Sequence, residues 1–117
     1  MPGDEPPPVL TPEDVRIATD VSRETLMRLE TYVALLVKWQ KAVNLVGPST
    51  LKDVWRRHIL DSLQLMPYSP RETVSALDFG SGAGLPGLVL AIAGVKGMKL
   101  VESDARKAAF LREAARV

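Results

Sequence analysis

Apolar side chains recur with two different rhythms along the chain. From Thr11 to about residue 70 they return at three- and four-residue steps, the spacing of helices with one buried face. Thr11-Pro12-Glu13-Asp14 reads as a helix start: a hydroxyl to cap the end, proline at the first helical position and acids in the first turn. It predicts a short helix to about Ala18. Ser22 can cap a longer one reaching about Ala42, with Leu26, Leu29, Val33, Leu36, Val37 and Gln40 on one stripe. Arg23, Arg28, Glu30 and Lys38 lie mostly off that stripe. Gly47-Pro48 punctuates the chain, and Ser49 and Thr50 can cap a third helical segment. Its apolar face of Leu51, Val54, Ile59, Leu60 and Leu63 is interrupted near Trp55, and Pro67 and Pro70 close it.

Beyond residue 70 the rhythm changes. Val74 to Phe79 is a short apolar strand, and Gly80 to Gly87 a glycine-rich turn. Leu88 to Ala93 is apolar on all sides, as expected of a helix laid on a sheet, and Gly94 and Gly97 stop it. Met98 to Glu102 is a second strand. Asp104 can cap a helix from Ala105 to at least Ala115, with Ala108, Phe110 and Leu111 facing inward. Strand, helix, strand, helix in that order predicts a right-handed βαβ start to a parallel sheet, an α/β fold of Rossmann-like type preceded by a helical unit. Parallel sheets are covered on both faces and have more than two strands. The sheet is therefore expected to be incomplete here, and the chain to be a piece of a longer protein. The expected division is a disordered acidic, proline-rich tail at residues 1–10, a helical N-terminal unit at 11–70, and the first part of the α/β domain at 71–117.

Composition narrows the chemistry. The 117 residues carry a formal net charge of +1, so no global basic signal marks a nucleic-acid binder, and any such signal is local. There is no cysteine and one histidine, His58, which argues against disulfides, thiolate sites and multi-histidine metal sites. No apolar run approaches the roughly 18 residues of a membrane span, and the N-terminus lacks the basic start of a signal peptide. A cytoplasmic protein without metal is the expectation.

The glycine turn carries the clearest functional signal. Gly80, Gly82 and Gly84 alternate, and Gly87 follows. Glycines there let the backbone bend sharply from strand to helix and approach a ligand without a Cβ in the way. Gly82-Ala83-Gly84-Leu85-Pro86-Gly87 also satisfies the dinucleotide pattern literally, which admits NAD with its pyrophosphate at the helix N-terminus. Two details favour S-adenosylmethionine. The acid Asp78 stands before the turn, where a carboxylate suits a cationic sulfonium and amino group and gains nothing from a pyrophosphate. Pro86 removes one N–H from the helix end that would hold phosphate. Glu102, at the end of the second strand, can accept the hydroxyls of a ribose and serves either cofactor. Ser103 follows it. A tight turn without ligand is the bland alternative.

With these residues in place the sequence resembles a known family. Leu77 to Gly87, followed by Leu90-Ala91-Ile92, closely resembles the RsmG (GidB) family of bacterial 16S rRNA guanine-N7 methyltransferases. Arg57-His58-Ile59-Leu60-Asp61-Ser62-Leu63 looks like a second hallmark. Trp39 to Leu45 is similar to a third, with Gln40 where asparagine often stands. Leu100-Val101-Glu102-Ser103, then Lys107, Phe110 and Leu111, resembles a fourth, with Glu102 where aspartate is common. The resemblance implies methyl transfer from S-adenosylmethionine to N7 of a guanosine in the decoding region of 16S rRNA. It implies cofactor contacts from Asp78, Gly80, Ser81, Gly82, Gly84, Leu85, Glu102 and Ser103, and the small ribosomal subunit or its RNA as partner. Guanine N7 has a free lone pair and no proton, so neither a general base nor a cysteine nucleophile is required, and no catalytic residue is assigned.

His58, Asp61 and Ser62, which share one side of a helix, are candidates to lie near the cofactor pocket or the target base, and Lys41, Arg56 and Arg57 are candidates to face the RNA. Residues 36–58 hold Lys38, Lys41, Lys52, Arg56 and Arg57 against Asp53 alone, a local basic side able to meet phosphate. The competing expectation for His58, Asp61 and Ser62 is a hydrogen-bonded tie between helical unit and sheet, and for the basic residues a solvated helix face. Trp39 and Trp55 are expected half-buried in the core more readily than stacked on bases.

Overall fold

The computed structural model describes residues 8–66, 76–79, 82–95 and 98–116, with the backbone alone at 76–79. The expected contributions of Pro67, Pro70, Val74, Ser75, Gly80, Ser81 and Gly97 lie outside the described residues, as does most of the expected N-terminal tail.

Helix α1 spans Pro12–Thr19. Thr11 accepts from the Asp14 N–H at its N-terminus, and the Asp14 carboxylate accepts the Thr11 N–H in return. Asp20 ends it in a left-handed conformation, φ 56°. Pro8 to Leu10 are tied down: the Pro8 carbonyl accepts from Arg56, and the Leu10 N–H donates to Asp53.

Helix α2, Arg23–Gln40, starts at Ser22, whose hydroxyl accepts the Thr25 N–H at 3.1 Å. Leu26, Leu29, Val33 and Leu36 are buried as the stripe requires. The stripe is centred slightly differently from expectation: Tyr32 is fully buried, whereas Val37 is 41% exposed. The helix also ends two residues before Ala42. Gln40 is the cause. Its side-chain oxygen accepts the N–H groups of Leu45 and Val46, and its amide nitrogen donates to Asn44 and the Val46 carbonyl. These four bonds fold the chain back over the helix end and bury Val43, Leu45 and Val46.

The third helical segment changes its winding twice. A 3₁₀ stretch, Pro48–Asp53, passes into a π-wound stretch, Trp55–Leu60, and closes in one α-turn, α3, Asp61–Leu63. The interruption expected near Trp55 is this change of winding at Val54. Ser49 and Thr50 are not its caps, contrary to expectation. The segment starts from Gly47 with no side-chain cap, and the Thr50 hydroxyl instead donates to the Gly47 carbonyl at 2.7 Å. Val54, Trp55, Ile59, Ser62 and Leu63 are buried.

Strand β1, Ala76–Phe79, pairs parallel with β2, Met98–Val101, so that Asp78 stands opposite Leu100. Between them lies α4, Gly87–Ile92, and after them α5, Ala105–Ala114. Parallel strands need a crossover element, and α4 supplies it. Asp104 caps α5 by accepting the N–H groups of Arg106 and Lys107 at 2.9 and 3.1 Å. One cluster of buried side chains runs through all the helices: Val15 from α1, Tyr32 and Leu36 from α2, Ile59 from the π-wound stretch, Val89 from α4, Phe110 from α5. Full burial of each such side chain contributes about 1.5–3 kcal/mol. Among the described residues no helix is long and apolar enough to cross a membrane, and no group of acids and histidine could hold a metal ion.

Candidate functional site

The described part of the glycine turn, residues 82–86, leads into α4. Gly82 and Gly84 both have positive φ, 52° and 86°, conformations that L side chains rarely adopt. Gly84 has a second constraint. A Cβ there would lie 2.8 Å from the Leu88 Cβ and 3.2 Å from a Leu111 methyl, so its lack of a side chain lets the turn settle against α4 and α5. The Leu88 N–H then donates to the Gly84 carbonyl at 2.8 Å and carries the turn into the helix. The Leu85–Pro86 bond is cis.

Two side chains from outside hold the turn. Glu102, just past β2 and half-buried, accepts the Gly82 N–H at 2.7 Å through Oε1 and the Asp104 N–H at 2.9 Å through Oε2. Hydrogen bonding from the Asp104 N–H, then from the Gly82 N–H, keeps this carboxyl below its ordinary pKa. It is therefore an ionised carboxylate at neutral pH. Each oxygen keeps acceptor capacity beyond these bonds. Tyr32 is the other anchor. Its hydroxyl donates to the Ala83 carbonyl across 51 residues of sequence. Sequence reading missed Tyr32. The available signal was a tyrosine three residues after Leu29 on an apolar helix stripe, because a buried phenol needs a hydrogen-bond partner.

Asp78 is the third residue of β1, one before the strand ends, and Ser103 is exposed in the turn between β2 and α5. Leu85 and Pro86 face the third helical segment. With Arg57, His58, Asp61 and Ser62 they line a shallow cleft. The structure thus brings the polar set of the helical unit beside the glycine turn. Within that set the side chains differ. Ser62 is buried, Asp61 is exposed, and His58 Nε2 meets the Thr50 hydroxyl at 2.7 Å. The hydrogen bond of His58 lies inside the helical unit. Partial burial, with the Arg57 charge adding to it and Asp61 opposing, puts His58 below the ordinary histidine pKa. It is neutral at neutral pH.

The basic candidates separate. Arg56 is engaged within the molecule, bonding Asp53 at 2.9 Å and the Pro8 carbonyl at 2.7 Å. Arg57, next in sequence, is exposed at the cleft. Lys41 is exposed at the C-terminal end of α2. Trp55 is buried, and Trp39 is half-buried with its ring edge-on to Phe110 at 5.7 Å. Both tryptophans are core residues, as expected.

Comparison with known proteins places these features in context. A family model described as rRNA small subunit methyltransferase G matches residues 25–117. The ribosomal RNA small subunit methyltransferase G of Rhodospirillum rubrum is 59% identical over 108 residues, 92% of this chain and 54% of that protein. The enzyme of that name from Paramagnetospirillum magneticum is 58% identical over 106 residues, 91% of this chain and 52% of its own length. That of Orientia tsutsugamushi is 48% identical over 103 residues, 88% and 52%. The chain spans about half the length of the curated relatives it matches.

Proposed function

The chain belongs to the rRNA small subunit methyltransferase G family, and on that premise we propose that it carries the cofactor loop of an S-adenosylmethionine-dependent methyltransferase acting on 16S rRNA. The observation that carries this reading is the ionised Glu102 carboxylate on the Gly82 N–H. The middle of the glycine turn is held by a fixed negative charge. A pyrophosphate brought to that amide would meet the carboxylate instead of a free donor. A cofactor with ribose hydroxyls to donate and a positive sulfonium nearby suits the same charge. The residues present fit S-adenosylmethionine.

In this reading the order β1, α4, β2, α5 begins a Rossmann-like sheet. Gly80, Ser81, Gly82 and Gly84 offer backbone to the cofactor, Leu85 bounds its pocket, and Asp78, Glu102 and Ser103 supply polar contacts. Bound S-adenosylmethionine supplies an electrophilic methyl group. N7 of the target guanosine needs no deprotonation, so the work of the protein is to hold the lone pair in line with the methyl–sulfur bond. The cleft of Arg57, His58, Asp61 and Ser62 adjoins the loop through Leu85 and Pro86, and we assign it to the target base. Neutral His58 and the Asp61 carboxylate can hydrogen-bond the base edge. Lys41 and Arg57 meet RNA phosphate, Arg56 chiefly through positioning the segment that bears Arg57. The methyl acceptor is N7 of a guanosine in the decoding region, and the setting is cytoplasmic with no metal required.

Titration calorimetry with S-adenosylmethionine, S-adenosylhomocysteine and NAD tests the cofactor. Binding of NAD alone sinks the proposal. Labelled methyl transfer to 30S subunits or rRNA, read as N7-methylguanosine after digestion, tests the reaction. The 117-residue chain by itself is expected to be inactive, because half the length of its relatives is not in it.

A further inference from the structure

Local sequence leaves the conformation of the glycine turn open. Ala83 stands between two residues of positive φ, Gly82 and Gly84. Glycine visits many backbone conformations at similar energy, so a Gly-Ala-Gly run has no strong preference of its own. Two hydrogen bonds from other elements narrow the choice. Glu102 accepts the Gly82 N–H and so fixes the direction of that N–H. The Tyr32 hydroxyl takes the Ala83 carbonyl and so orients the peptide between Ala83 and Gly84. A trans peptide is planar, with its C=O and N–H pointing in opposite directions. Holding the Ala83 oxygen towards α2 therefore turns the Gly84 N–H away from α2.

We propose that Tyr32 is a positioning residue: its hydroxyl, delivered from the helical unit, sets the peptide plane of the cofactor loop so that the Gly84 N–H is aimed before the cofactor arrives. Its cofactor arm rests on the function proposed above; its structural arm does not. The phenol is well placed for this task. It is fully buried, and its ring packs on Phe110 of α5 at a centroid distance of 6.2 Å, tilted by 49°. Phe110 in turn meets Trp39 at the far end of α2. The ring has little room to swing, and its oxygen is the only polar atom at its tip. Burial raises the phenol above its ordinary pKa, so it remains a donor at all working pH. A loop already ordered binds without the entropy cost of ordering it, which raises affinity without adding a contact.

The test is Tyr32→Phe, which keeps the ring and removes only the donor, beside Leu29→Ala, which damages the same buried face of α2 and touches no loop hydrogen bond. Two quantities are read: hydrogen–deuterium exchange of the loop amides without ligand, and calorimetric affinity for S-adenosylhomocysteine. Tyr32→Phe is expected to speed loop exchange and weaken affinity, each by about tenfold. Leu29→Ala is expected to lower Tm at least as far while leaving both within about twofold. A folded Tyr32→Phe with wild-type exchange and affinity overturns the proposal, and so does Leu29→Ala reproducing both losses. If wild type binds no S-adenosylhomocysteine, the functional reading fails while the exchange arm still decides the role of Tyr32. Should Tyr32→Phe not fold, proton NMR of the wild type decides. A slowly exchanging Tyr32 hydroxyl proton near the loop supports the proposal, and a rapidly exchanging one refutes it.

Discussion

At Gly84 two separate demands meet, a positive φ of 86° and a neighbour 2.8 Å from any added Cβ. That neighbour is the root of the Leu88 side chain, which cannot swing aside as a chain end would. Gly84→Ala is therefore expected to destabilise by about 2–4 kcal/mol, combining left-handed strain with overpacking; thermal unfolding measures it. Gly82→Ala carries the left-handed strain of about 1–2 kcal/mol. A ranking with Gly82→Ala as the costlier change would contradict the packing described. His58 offers a titration. Its folded pKa lies below the ordinary value of about 6.5. Well above that pH both folded and unfolded chains are neutral there. As pH falls through the ordinary value, the unfolded chain takes the proton first, so stability drops until the folded pKa is passed. Wild type is expected to lose more Tm between about pH 7.5 and 5 than His58→Gln, and the imidazole proton resonances should titrate below the ordinary midpoint. The residue scale was only partly open to sequence reading. The glycines were recognisable because they must be glycine for local reasons. Tyr32 was not, because its partner is 51 residues away and its stripe position resembles any buried aromatic. Glu102 was placed at the strand end, but its bond to Gly82 depends on the sheet register bringing the two together.

Among the elements, side-chain caps made the starts of α1, α2 and α5 readable, and apolar runs bounded by glycines did the same for α4 and the strands. Thr11, Ser22 and Asp104 mark their helix starts because the capping bond is made within three residues. The stretch from Pro48 to Leu63 has no such marker. Its 3₁₀ and π windings depart from the 3.6-residue period on which sequence reading rests. Trp55 and Ile59, four apart and both buried, fit an α-helix as well as a π-wound turn. The early end of α2 was hidden for a similar reason: one glutamine making four bonds to the following loop has no compositional signature. α5 provides the element-scale prediction. Phe110 is fully buried, and its ring joins α5 to both Tyr32 and Trp39 of α2. Phe110→Ala should cost about 3–5 kcal/mol. Loss of near-ultraviolet dichroism from Tyr32 and Trp39 should accompany it. A cost under 1 kcal/mol would mean that these rings do not hold the helix.

For the molecule as a whole, the order of helices and strands followed from the pattern of apolar positions, while the junction between its two halves did not. A net charge of +1 says little about RNA, and the local basic excess divides once its partners are known. Arg56 is committed to Asp53 and Pro8, whereas Arg57 is exposed at the cleft. On the proposed function, Arg57→Ala is expected to weaken rRNA binding and to reduce the slope of log affinity against log salt by roughly 0.7–0.9, the signature of one lost phosphate contact. An unchanged slope would place Arg57 off the RNA. Arg56→Ala is expected to lower Tm instead, as the tie to the N-terminal segment is released.

The bond between Tyr32 and Ala83 also limits how the protein can be taken apart. The glycine loop looks portable, a short motif ready to be lifted into another scaffold. Its peptide orientation is written partly in a helix that ends more than thirty residues before it begins. A chimera joining this loop to a foreign helical unit would inherit the letters of the motif and lose part of its shape unless a tyrosine came with it at the matching place. Position 32 and the loop are, in engineering terms, a single interchangeable part.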